Sequence, residues 1–493
     1  MHPVTPVLRG WKVFVGVLLV VGYQASDNIS SATRLLAGRG WLLVLAGLAL
    51  VAVVGFAYAA IAWRMTRFAV TDDAVHLRSG IVFRQQRQAR LDRLQAVDVV
   101  RPLLAQLVGL SELRLEVAGG AGSAVSLAFL REQEAEELRA ELLALAAGLH
   151  RPTAAAAPVT SSTAEAGATT AGAGATTAEV GATTAVAPAA GPAFETAPEY
   201  QVYEVPLGRL LASVLASGAV AWLLLLMVGL VVLAVTTGDF GSAFFALPMV
   251  LAVVSVVWSR VNGGASFRAA TSPDGIRLRH GLTEARAQTV PPGRVQAVSI
   301  HQGPLWRKPD WWRVQINVAG YGQEESSGER ESVLHPVATR EEARTALWLV
   351  LPELGVPDPV ATLDAALTGT GSDGGFVSAP RRSVWVDPIG WQRHGVLVTD
   401  RALILRSGRF WRRVVVVPHE RTQSLGLTQG PVQRALRVAT FVLHSTPGPV
   451  APRVEHLDSQ VASDLLHEQA ERARRARAVA APEQWMRPPE PRR

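Results

Sequence analysis

Apolar residues crowd into three long stretches of the chain, and short alternating runs fill most of the rest. Trp41 to Trp63 carries no charge over 23 residues, and at about 1.5 Å per helical residue it crosses a hydrocarbon core of roughly 30 Å. Leu210 to Val235 and Phe240 to Trp258 are two more such runs, separated by a polar turn at Thr236 to Asp239. They predict a helical hairpin kinked at Pro248, which a membrane helix tolerates when neighbours satisfy the freed carbonyl. Trp11 to Gln24 is shorter, but Arg9 and Lys12 flank it and can snorkel to the headgroups. A basic start before a short apolar run also fits a signal peptide. Tyr23-Gln24-Ala25 puts a bulky ring where a small residue is wanted before the cut, so an uncleaved first helix is preferred. Two transmembrane hairpins are expected, over 1–67 and 200–262.

Arginine near the helix ends sets the orientation. The second turn holds Asp239 and no basic residue, whereas Arg209 precedes the hairpin and Arg260 and Arg268 follow it. That turn should face outwards, with both ends cytoplasmic. Around the first hairpin, Arg9, Lys12, Arg64 and Arg67 oppose Arg34 and Arg39 in the loop, and this loop is also placed outside.

The remaining text repeats. Val70-Thr71-Asp72 leads to Val75-His76-Leu77-Arg78-Ser79-Gly80, and Val398-Thr399-Asp400 leads to Leu403-Ile404-Leu405-Arg406-Ser407-Gly408. Between them stands Ile276-Arg277-Leu278-Arg279-His280-Gly281. Short β-branched runs punctuated by Gly and Asp predict antiparallel strands with tight turns. A second signature, Arg-x-Gln, occurs as Arg93-Leu94-Gln95, Arg294-Val295-Gln296 and Arg421-Thr422-Gln423, each time with its glutamine 15 residues past the glycine. A fixed internal spacing defines the structural unit. Each copy ends on an amphipathic helix, with Leu138, Leu142 and Leu145, then Ala343, Leu347 and Leu351, then Ala462, Leu465 and Leu466 on one face. The economical fold class is an α+β membrane protein: two helical hairpins plus three units, each an antiparallel β-sheet capped by a C-terminal helix.

The glycine hairpin, the Arg-x-Gln strand, the closing helix and the opening His2-Pro3-Val4-Thr5-Pro6 together resemble bacterial membrane proteins with PH-like domains, the YdbS/YdbT-like family. The order hairpin, domain, hairpin, domain, domain is similar to its longer members and covers nearly the whole chain. The resemblance implies a pleckstrin-homology-like fold and residence in the bacterial cytoplasmic membrane. It places PH-like domains at 68–150, 263–356 and 386–474. Pro152 to Pro192 is nearly all Ala, Thr, Gly, Val and Pro, with Gly-Ala-Thr-Thr-Ala beginning at Gly167, Gly174 and Gly181. Without Leu or Ile to form a seam, 151–199 reads as a flexible linker that lets the first domain search a wide volume. A second linker is expected at 357–385, and a basic disordered tail at 475–493.

Trp306-Arg307-Lys308-Pro309-Asp310-Trp311-Trp312-Arg313 is the most unusual octet. Amphipathic rings and cations suit the headgroup zone, so Trp306, Arg307, Lys308, Trp311 and Trp312 are the candidate membrane-surface contact. The competing and preferred assignment has one or two of these tryptophans filling the sheet core. The signature residues Gly80, Arg93, Gln95, Gly281, Arg294, Gln296, Gly408, Arg421 and Gln423 are read as structural, although guanidinium groups also grip phosphate. Arg84, Arg87 and Arg90, with Arg409, Arg412 and Arg413, make two hairpins basic. Each contributes about 1 kcal/mol of attraction near an anionic surface, without headgroup specificity. The basic run Arg472 to Arg477 is of a kind that serves nucleic acid, but Glu468 and Glu471 precede it and no aromatic platform accompanies it, so a solvated helix end is expected.

Composition then narrows the chemistry. The 493 residues are 49% hydrophobic, carry a formal net charge of +7 and contain no cysteine, and lysine occurs only at Lys12 and Lys308. Disulfides, thiolate metal sites and a Gly-Lys-Ser/Thr phosphate loop are thereby excluded. His419-Glu420 and His467-Glu468 lack a second histidine four residues on, there is no Gly-x-Ser-x-Gly elbow, and His280, His301 and His335 lack close ligand spacing. No catalytic residue, metal or cofactor is expected. The partners expected are the bilayer and a protein, or the chain itself through its PH-like domains, with no nucleic acid. A non-enzymatic binding or scaffolding module at the inner membrane face follows. The alternative, a transporter or envelope-stress component worked by its helices, is disfavoured because the spans hold no mid-depth ionisable group.

Overall fold

The computed structural model describes residues 64–71, 74–79, 85–90, 94–117, 125–146, 199–238, 246–272, 275–290, 293–319 and 332–479, with scattered positions between 46 and 61. Most of the expected first hairpin and of the expected first linker lies outside these residues. Unit 1 runs β1 (Arg67–Val70), β2 (Ala74–Ser79), β3 (Gln85–Arg90), β4 (Leu94–Pro102), β5 (Leu110–Val117), β6 (Val125–Arg131) and helix α1 (Glu132–Ala146). Unit 2 opens with β7 (Tyr200–Glu204), then three helices, α2 (Leu207–Leu215), α3 (Gly218–Thr237) and α4 (Ala246–Gly264). It resumes with β8 (Arg268–Ser272), β9 (Gly275–His280), β10 (Glu284–Val290), β11 (Val295–Gln302), β12 (Trp312–Val318), β13 (Val333–Ala338) and α5 (Arg340–Val350). Unit 3 comprises α6 (Pro359–Thr368), β14 (Val377–Ser378), β15 (Gly395–Val398), β16 (Ala402–Ser407), β17 (Arg412–Pro418), β18 (Ser424–Thr428), β19 (Val438–His444), β20 (Arg453–Asp458) and α7 (Ser459–Val479).

Every pairing is antiparallel, and the sheets do not respect the boundaries between units. Their strand orders are β1-β2-β3, β6-β5-β4-β10-β9-β8-β7, β13-β12-β11-β17-β16-β15-β14 and β18-β19-β20. Each unit is a two-sheet sandwich, and the second sheets of units 1 and 2 are continuous with the first sheet of the next unit. β4 joins β10 through Ala285↔Arg101, and β11 joins β17 through Arg412↔Gln302. A shared sheet has a core on each face, which explains why Val414, Val415, Val416 and Val417 are all buried. Val414 and Val416 pack into the core of unit 2, whereas Val415 and Val417 pack into that of unit 3. Side chains lock the joints further: Arg139 of α1 donates to Thr289, and Asn317 donates to the Val450 carbonyl at 2.7 Å while accepting from its amide at 2.9 Å. Unit 1 is therefore not a searching domain on a tether. It is fastened to unit 2 by main-chain pairing.

Four expected boundaries change. β7 pairs with β8 across the helices, so unit 2 begins ahead of its apolar helices, which are an insertion between two strands of one sheet. The apolar run from Leu210 divides at Ala216–Ser217: α2 ends there, and Ser217 caps a fresh helix by accepting from the Val220 amide. Residues 357–385 are no linker, because α6 buries Leu363, Ala366 and Leu367 in the unit 2 core. Arg393 donates to the carbonyls of Ala366, Leu367 and Gly369 at that helix's end, at 2.7–3.2 Å. The basic segment from Arg472 belongs to α7, where Arg472 pairs with Glu468 and Arg474 with Glu471.

Candidate membrane-facing site

The spanning candidate is α3. It is long and apolar enough to cross a membrane, and only 11% of its most apolar window is buried. α4 packs antiparallel beside it, and its well-described apolar part, Val250–Gly264, is shorter than a span. Among the described residues α3 alone meets the length and composition of a crossing helix. α2 precedes it as an amphipathic helix of nine residues: Leu210, Ser213 and Val214 are buried, while Leu207, Leu211 and Leu215 are exposed at four-residue spacing. Arg209 at its start is ion-paired with Glu342, which also closes a capping box with Thr339 on α5. The pair pins α2 to the soluble core, and Gly264 leaves room for Leu210 where α4 returns.

The hairpin and loop tips of units 2 and 3 gather at the foot of these helices. The Leu282 amide donates to the Asn262 carbonyl of α4, and the Asn262 side chain accepts from Thr283. The Trp306 indole donates to the Ser213 carbonyl of α2 at 3.0 Å. Arg307 donates to the Arg409 and Phe410 carbonyls, tying the Trp306 loop to the β16–β17 hairpin. The solvent side of this edge is apolar and basic: Leu282, Leu305, Phe410 and Trp411 are about half exposed or more, with Lys308, Arg409 and Arg413 exposed among them. Large exposed apolar side chains rimmed by cations fit the interfacial zone of a bilayer.

Of the expected contact residues, Lys308 is exposed and Trp306, Arg307 and Trp311 are half-buried. Trp306 and Trp311 meet edge-on at 6.4 Å and lean on the unit 2 core. Trp312 is 0% exposed, and its indole donates to Asp310 at 2.9 Å, so it is a core residue and makes no surface contact. Alternation on β12 forces this: Trp312, Val314 and Ile316 share the inward face. Sequence reasoning missed Phe410 and Trp411, whose signal was two adjacent aromatics at a hairpin tip between arginines.

The described residues of the repeat signature occupy turns and bulges. Gly281 and Gly408 have φ of +106° and +75°, and a Cβ on either would lie 2.0 Å from the carbonyl oxygen three residues on. Thr71 and Thr399 each bridge their turn, accepting from and donating to the same residue, Ala74 or Ala402. Gln95 and Gln296 are the extra residues of two β-bulges, between Leu94 and Ala96 and between Val295 and Ala297. The Arg294 carbonyl accepts from the Gln296 side chain, and the Gln423 amide donates to His444. Gly80 and Arg93 lie outside the described residues; Arg421 occupies a short 3-10 turn before β18. The basic hairpin of unit 1 is only partly described, since Arg84 falls outside and Arg90 lies on β3; in unit 3, Arg412 donates to Gln302 across the joint.

The histidines serve packing. His335 stacks on Tyr203 at 4.5 Å, and His280 stacks on Phe267 at 5.4 Å. Burial, only partly offset by Glu342, pushes the His335 imidazole down to about 4, so it is neutral at physiological pH. His419 lines an open groove of about 1020 Å³ with Asp400, Arg401, Glu420 and Arg472, yet its ring is tied to the Thr399 carbonyl and Gln469. Among the described residues no three His, Asp or Glu side chains converge as metal ligands do.

A family model described as Bacterial PH domain matches residues 16–146, 207–352 and 360–473. Neither the curated proteins nor the solved structures yielded a match. The three matched segments fall on the three sandwich units and span most of the sequence, and the chain belongs to the bacterial PH-domain family.

Proposed function

We propose that this is a multi-pass protein of the bacterial cytoplasmic membrane, akin to the YdbS/YdbT-like members, that holds three PH-like units as one platform against the inner leaflet. It works by binding and scaffolding, without chemistry of its own. The observation that carries this reading is the convergence of the apolar α3, the exposed leucines of α2 and the aromatic-basic tips of units 2 and 3 on one edge. Anchoring supplies effective concentration: a weak contact between platform and partner is strengthened when both are confined near one surface. Both ends of the α3–α4 hairpin face the cytoplasm, as the arginines around it favour.

The reading is tested by washing native membranes in alkaline carbonate. Retention in the pellet is expected, and release into the supernatant defeats it.

A further inference from the structure

The two joints between units obey one rule, and it leaves a matching pair of ends. In each joint the residue four past the hairpin glycine faces the residue six past the signature glutamine: Ala285 after Gly281 faces Arg101 after Gln95, and Arg412 after Gly408 faces Gln302 after Gln296. Main-chain register is thus identical in two joints whose side chains differ. β3 is the counterpart of β10 and β17, and β18 that of β4 and β11. Both are terminal strands of their sheets, with no further strand paired to them among the described residues.

The exposed edge of β18 bears the mark of a missing neighbour. Leu427 occupies the place of Val99 in β4 and Ile300 in β11. Those two are 1% and 0% exposed, whereas Leu427 is 37% exposed. Leu425, the counterpart of the fully buried Val97 and nearly buried Val298, is likewise only half-buried. A five-residue strand with half-covered leucines and a free main-chain edge is a template for another strand. β18 carries no charge and β3 presents glutamines at Gln86 and Gln88, so no like charges meet between them.

We propose that the chain assembles head to tail, β18 of one copy adding to β3 of the next in the register of the internal joints. The pairs are Gln85↔Thr428, Gln86↔Leu427, Arg87↔Gly426, Gln88↔Leu425 and Ala89↔Ser424. The contact is heterologous, so each copy keeps one donor and one acceptor edge and assembly continues until a ring closes or a filament forms. It also keeps the tips on one side: each joint sets the loop after β4 or β11 beside the next unit's hairpin, and the new joint does the same with the Pro431–Ala435 turn, whose Val432 is exposed. Successive copies can then lie along one membrane surface. This deepens the scaffold reading above by naming the partner as a second copy.

The cysteine-free sequence gives a clean test on the full chain in detergent. Residues directly opposite in antiparallel strands lie about 4.5–5.5 Å apart at Cα, within disulfide reach. Q88C mixed with L425C is expected to give a covalent dimer on oxidation. The double variant should give a ladder of multimers, and each single variant alone should stay a single chain. Light scattering on the unsubstituted chain should show mass rising with concentration. A single-chain mass at all concentrations overturns the proposal, as does Q88C linking to itself as well as to L425C, or Q86C linking to L425C as efficiently as Q88C does. Single-chain mass with retention in carbonate-washed membranes sinks the assembly and spares the platform; a ladder from a chain that carbonate releases supports the assembly and sinks the anchoring.

Discussion

Trp312 and Trp411 carry the same ring in opposite surroundings, 0% and 67% exposed. Trp312→Ala removes a fully packed indole and is expected to cost about 3–5 kcal/mol, read as a lowered denaturant midpoint. Trp411→Cys should leave folding alone. In proteoliposomes it should resist a water-soluble maleimide, whereas Arg401→Cys, at the far end of β16, reacts; equal labelling contradicts a bilayer-facing tip. His335 sets a pH dependence. Its folded-state value of about 4 lies below the ordinary 6.5, so the unfolded chain takes the proton first as pH falls. Stability is fully present above 6.5 and is lost between about 6.5 and 4, by roughly 3 kcal/mol from this group. His335→Gln should flatten that slope in thermal melts at pH 7 and pH 5. Burial pushes His301 down further, to about 3, and lowers His419 and His456 too, so a large part of the slope remains.

Among the elements, the glycine hairpin and the cap of α6 are the points where one atom decides. Gly408→Ala places a Cβ against the Trp411 carbonyl in a left-handed turn. It should lose at least about 1–2 kcal/mol, seen as a lower melting temperature. Arg393 is 2% exposed with no carboxylate bound among the described residues, and burial among other arginines pulls its guanidinium down to about 9. It is held instead by three carbonyls at the end of α6, so Arg393→Gln should cost about 2–3 kcal/mol. Periodicity and repeat spacing made the strands, the closing helices and the apolar runs readable. They could not show that α2 separates from α3, because a capping serine inside an apolar run does not alter its hydropathy. β7 was hidden by its position, five residues stranded between a low-complexity segment and an apolar helix. α6 was hidden by small residues and by a cap supplied from Arg393, 24 or more residues away. Trp312 was ambiguous because a headgroup-like octet and an inward strand position coincide there.

At the scale of the whole molecule, what local pattern could not reveal is the sharing of sheets. Pairing of β4 with β10 and β11 with β17 joins residues far apart in sequence, and only the unbroken Val414 to Val417 run hinted that both faces of a strand are covered. Joined in this way, three small sandwiches become one body in which the tips of units 2 and 3 share an edge, and the apolar helices inserted between β7 and β8 rise from that edge, which the proposed anchoring sets against the bilayer. Orientation tests this account most directly. Because the natural chain has no thiol, a membrane-impermeant maleimide on intact cells reports one engineered site at a time. Thr237→Cys, at the turn end of α3, should label in intact cells, and Arg401→Cys only after permeabilisation; labelling of Arg401→Cys in intact cells, or of Thr237→Cys only after permeabilisation, would contradict it.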